Sequence, residues 1–64
     1  MEAWTFIFWL GNSSPARKLD VQNEDACVLI ARMITEGLPV DGVCINSFDG
    51  KVLFFRYGKQ VEKL

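Results

Sequence analysis

Residues 3–10 read AWTFIFWL, and the reading of these eight positions decides the fold. The stretch is rich in aromatic and β-branched side chains and too short for a typical buried helix, which predicts a strand. Strand alternation puts Trp4, Phe6, Phe8 and Leu10 on one side and Ile7 and Trp9 on the other. Both sides are therefore apolar, whereas an antiparallel sheet with one wetted face carries polar residues on that face. A secretory leader is a poorer reading of the same run, because acidic Glu2 precedes it, no basic segment leads into it and no A-x-A pattern follows.

Working outward, GNSSP at residues 11–15 is a dense cluster of turn formers. RKLDV at 17–21 alternates, with Leu19 and Val21 on one side, and is expected as a short strand antiparallel to the first; if it is only a loop, one strand drops out. Asn23 before Glu24 and Asp25 marks a helix start, since an Asn side chain accepts from an orphan amide and carboxylates suit the positive end of the dipole. The helix is expected to run to about Glu36. Its apolar stripe is Cys27, Ile30 and Ile34 with Ala26 and Met33, and Arg32, Thr35 and Glu36 lie away from it. Gly37 supplies the left-handed residue after the helix, Leu38 folds back on the last turn, and Pro39 forbids continuation.

Residues 40–48 alternate, with Val43 and Ile45 facing away from Cys44, Asn46 and Phe48. Asp49-Gly50 signals a two-residue type I′ hairpin turn, KVLFFRY at 51–57 is the returning strand, and Gly58 ends it. Residues 59–64 show no pattern. The expected fold is α+β: a small antiparallel sheet, ββαββ or βαββ, with one helix packed on one face.

At 64 residues with 50% hydrophobic composition and a net charge of −1, the chain is one small domain, 1–64, with no room for a second. No apolar run approaches a membrane span of roughly 18 residues. Two cysteines are too few for the disulfide framework of small secreted domains, so a reducing cytoplasm is the expected compartment and Cys27 and Cys44 are expected as small core residues. Asn12-Ser13-Ser14 fits the glycosylation pattern, which has meaning only in a secreted chain.

Catalysis is not expected. With no histidine, imidazole-based triads and histidine-ligated metals are excluded, and two distant cysteines do not make a zinc site. Asp20, Glu24 and Asp25 sit where a helix start wants negative charge, and no glycine-rich phosphate loop is present. No catalytic residue, metal or cofactor is assigned.

One helix covers one face, so the second apolar face carries the functional expectation. With the helix on the Trp4 side, Ile7, Trp9, Val52, Phe54 and Arg56 form a surface for a protein partner or a second copy of the chain; with the helix on the other side, their counterparts do. The competing reading is that the C-terminal tail or the long loop folds over this face, but the tail has only Val61 and Leu64 as apolar groups for the purpose. Two alternatives remain. One is a nucleic-acid-binding module using a local patch of Arg17, Lys18 and Arg56 with an aromatic platform, although seven basic against eight acidic residues give no global attraction to phosphate. The other is an oligomer that sequesters a small ligand between subunits.

In size, acidity, single-domain layout and absence of catalytic residues, the chain resembles the small phage-encoded proteins that block bacterial defence, anti-CRISPR proteins among them. The resemblance implies a non-enzymatic inhibitor that occupies a surface of a host defence protein, often as a homodimer, or in some cases sequesters a nucleotide signal. It rests on layout, so no functional residue is carried over from it.

Overall fold

The computed structural model describes residues 3–11, 15–37 and 39–64. The elements are β1 (Trp4–Leu10), β2 (Arg17–Val21), α1 (Glu24–Thr35), β3 (Val40–Asn46), β4 (Val52–Arg56) and β5 (Lys59–Val61). The strands form one antiparallel sheet in the order β2-β1-β3-β4-β5, with α1 packed on one side. The α+β expectation describes this architecture, with one strand more than ββαββ provides.

α1 starts where the sequence places it. The Asn23 side chain accepts a hydrogen bond from the Ala26 amide at 2.8 Å, satisfying one of the orphan donors of the first turn. At the other end Glu36 is already extended and Gly37 has φ +74°. The fold-back of Leu38 and the glycosylation pattern at residues 12–14 lie outside the described residues.

The helix packs on the side of the sheet that carries Trp4, Phe6 and Phe8 from β1, Val21 from β2, Cys44 from β3 and Leu53 and Phe55 from β4. Cys27, Ala31 and Thr35, four apart along α1, are its fully buried residues, while Met33 is 67% exposed. The buried stripe is therefore turned from the expected one: Met33 leaves it and Thr35 joins it. Thr35 is tolerated inside because its hydroxyl is fully used. It donates to the Ala31 carbonyl at 2.7 Å and accepts from the Gly58 amide at 3.0 Å, tying the last helical turn to the β4–β5 turn.

Cys27 and Cys44 are joined in a disulfide, with Cα atoms 6.1 Å apart, that links α1 to β3. This corrects the reading of both as unpaired core residues; both are buried, but bonded to each other. The expectation of a reducing cytoplasm rests on the cysteine count, and disulfides are rare in that compartment.

Gly42 is where the core is tightest. A Cβ at this position would lie 2.6 Å from the Phe6 ring, a ring that is fully buried and stacked against Phe8 with centroids 5.2 Å apart. Only glycine lets the ring lie over the β3 backbone there.

Two turns differ from expectation. β3 ends at Asn46, whose side chain accepts from the amides of Phe48 (2.8 Å) and Asp49 (3.2 Å), while the Gly50 amide returns to the Asn46 carbonyl. Asn46 thus starts the reversal early, over residues 47–50, and Asp49 lacks the positive φ that a type I′ turn requires. The two-residue turn lies instead at Tyr57-Gly58, with φ 55° and 75°, joining Arg56 to its partner Lys59 and opening β5 in the segment where no pattern was read.

Replacing Gly42 by Ala is expected to destabilise the fold by about 1–3 kcal/mol through overpacking against Phe6, measurable as a lowered urea midpoint; an unchanged midpoint would show that the ring yields freely. Reducing the disulfide is expected to cost about 2–4 kcal/mol. A thiol reductant should then lower the midpoint of the wild-type chain and leave that of the Cys27→Ala/Cys44→Ala double variant where it was.

Candidate protein-binding face

Alternation and register assemble the side of the sheet away from α1. Ile7 lies opposite Val43, Val43 opposite Phe54, and Phe54 opposite Val61, so an apolar row crosses β1, β3, β4 and β5. Residues directly opposite on one face stand about 4.5–5.5 Å apart at Cβ, close enough for each side chain to pack on the next. On one side of this row run Thr5, Ile45 and Val52, and on the other Trp9, Asp41, Arg56 and Lys59. Val43, at the centre, is shielded by its neighbours; Ile7, Trp9, Ile45, Phe54 and Val61 are half-buried and Val52 is exposed. Among the described residues no helix or strand lies over this face.

Ile7, Trp9, Val52, Phe54 and Arg56 all fall on this side, because the helix occupies the opposite one. Val43, Ile45 and Val61 also belong to the face. The first two were legible in the alternation of residues 40–48, whereas Val61 sits in a strand too short to announce itself.

Arg56 is not a lone charge in an apolar strand. Its Nε donates to Oδ1 of Asp41 at 2.9 Å and one terminal nitrogen donates to Oδ2 at 3.1 Å, a two-pronged pair between directly opposed residues. The turn decides this pairing. A two-residue turn at Asp49-Gly50 would set Phe48 against Lys51 and carry Arg56 opposite Val43, in the middle of the apolar row. The longer turn starting at Asn46 shifts the register by two and delivers Arg56 to Asp41. The hydrogen bonds from Arg56 hold the Asp41 carboxyl below its ordinary 3.8, against a smaller desolvation effect in the other direction. Asp41 raises Arg56 in return, again chiefly through the hydrogen bond.

Arg17 and Lys18 are separated by the alternation of β2. Lys18, opposite Ile7, lies on the open face; Arg17, opposite Phe8, lies on the helix side. There Arg17 borders a groove of ≈ 350 Å³ that is otherwise lined mainly by apolar groups, including Leu10, Ile34 and Val40. The aromatic residues of the strands divide in the same way: Trp4, Phe6, Phe8 and Phe55 face the helix, leaving Trp9 and Phe54 on the open side.

Two of the acidic residues near the helix start have separate partners. Asp20 accepts from the Thr5 hydroxyl at 3.3 Å, and Glu24 pairs with Lys51 at 3.0 Å, fastening the β3–β4 turn to the first turn of α1. Among the described residues no three metal-ligating side chains come together. Comparison with protein-family models, curated proteins and solved structures gives no match.

A carboxylate whose pKa is depressed on folding stabilises the fold above its unfolded value, and that stability is lost as pH falls through the folded value. Below about pH 4, the melting temperature of the wild-type chain should therefore fall more steeply than that of Asp41→Asn. Parallel acid limbs in the two proteins would mean that the pair is not maintained in solution.

Proposed function

We propose that the chain is a non-enzymatic interaction module whose open sheet face, centred on Ile7, Trp9, Val52 and Phe54 with Arg56 at its border, docks onto a surface of another protein. The observation that carries this reading is the apolar row across four strands with no described element over it, in a sheet whose other face already has its helix. Antiparallel sheets ordinarily spend their free face on polar residues, and a contiguous apolar surface rimmed by charge is the composition of an interface.

The rim supports the same assignment. The guanidinium of Arg56 is engaged by Asp41, so a partner that covers it meets a pre-paired charge instead of stripping water from a bare one. Trp9 lies beside this pair, and tryptophan next to an ordered arginine is the chemistry of binding hot spots. The nucleic-acid reading has less support, since Arg17 and Lys18 point to opposite sides and Arg56 is neutralised. The likeness in layout to phage-encoded anti-defence proteins supports a host defence protein as the partner, inhibited by occupation of its surface.

The test begins with proteins retained from a bacterial lysate by the immobilised chain and then purified individually. Trp9→Asp and Phe54→Asp should each weaken binding of such a protein at least tenfold, about 1.4 kcal/mol, while Leu29→Asp on the exposed side of α1 should leave it unchanged. Equal loss in all three variants, or retention abolished by nuclease treatment, would overturn the reading.

A further inference from the structure

The sheet has two edges, and they are unlike. β5 is three residues long, a blunt end. β2 presents five residues, pairs with β1 along one side over its whole length, and has no strand on its other side among the described residues. Arg17, Lys18, Leu19 and Asp20 are all exposed, Leu19 at 45%. A strand edge with unmade backbone hydrogen bonds is a template for another strand, and the side chains of β2 specify which one.

RKLDV is self-complementary when run against itself antiparallel about Leu19. In that register Leu19 opposes Leu19 of the second copy, Lys18 opposes Asp20, Asp20 opposes Lys18, and Arg17 opposes Val21. Lys18 and Asp20 share the open face, as their partners Ile7 and Thr5 do, so both opposite-charge pairs form on one side of the new ladder. The two Leu19 side chains meet on the helix side and cover each other. Registers centred one residue away do the reverse, setting Lys18 against Lys18 or Asp20 against Asp20. Opposite charges directly across an antiparallel pair stabilise it and like charges destabilise it, so the sequence favours the register centred on Leu19 over the two beside it. We propose that two copies of this chain join edge to edge through β2, on a two-fold axis at Leu19, to make one continuous ten-stranded sheet.

The axis stands perpendicular to the sheet, which keeps each face on its own side. Both helices lie on one surface and both apolar rows on the other, so the dimer leaves the open face free and places two copies of it side by side. This interface uses none of Ile7, Trp9, Val52 or Phe54, and it stands or falls independently of the docking role proposed for them.

Charge reversal tests the register directly, with the full chain in sedimentation equilibrium. The wild-type chain should sediment as a dimer. Lys18→Asp sets like charges against each other at both positions and should be monomeric, as should Asp20→Lys. Mixed one to one, these two variants again oppose acid to base at every position and should form a heterodimer, and the double variant Lys18→Asp/Asp20→Lys should dimerise with itself. Both positions are exposed, and circular dichroism of each variant establishes that the monomer is folded. A monomeric wild type, a single reversal that stays dimeric, or folded variants that fail to pair when mixed would overturn the proposal. So would loss of the dimer in Trp9→Asp with Lys18→Asp unaffected, which would move the contact between copies to the open face.

Discussion

The disulfide between Cys27 and Cys44 fixes α1 to the middle strand of the sheet, and the side on which Cys44 points is the side the helix must occupy. Strand alternation then assigns every other residue. Phe6 and Leu53, which flank Cys44 in register, go under the helix, and Ile7, Val43 and Phe54, one step along each strand, go to the open side. A twelve-residue helix has no means of covering both. The open apolar face is thus a geometric consequence of a single attachment in a sheet whose strands are apolar on both sides.

Close packing beneath the helix depends on two concessions in β3 and α1. Gly42 gives up its side chain so that the Phe6 ring can sit against the backbone. Thr35 brings a hydroxyl into the core and uses it twice, once on its own helix and once on the Gly58 amide. Among the described residues no buried side-chain polar atom is left without a partner, so these small departures from an all-apolar core avoid the penalty of about 1–3 kcal/mol attached to an orphaned group.

Much of this was legible in the residues. Asn23, the following carboxylates and Gly37 bracket α1 to within a residue, because caps are local chemistry. The division of residues 3–10 and 52–56 between two faces follows from period two alone, and with it the membership of Ile7, Trp9, Val52 and Phe54 in one surface. What escaped is non-local. Asp49-Gly50 has the composition of a tight turn, but the Asn46 carboxamide captures two amides first, and the resulting shift of two positions decides whether Arg56 meets Asp41 or Val43. The partnership of the two cysteines depends on α1 lying across β3, and β5 is too short to display an alternation. Thr35 looked like a solvent residue because its acceptor role is to an amide 23 positions away.

The disulfide has a further consequence, in chain connectivity. Residues 27–44 form a closed ring, through which the main chain enters from β1, β2 and the first turn of α1 and leaves toward β4 and β5. The exposed turn at Glu36 and Gly37 lies within that ring. A protease that cuts there opens the ring without dividing the molecule: the two pieces stay covalently joined and remain paired through β1 and β3. A break at this exposed turn is therefore one that the protein survives in a single piece for as long as the sulfur bridge is intact.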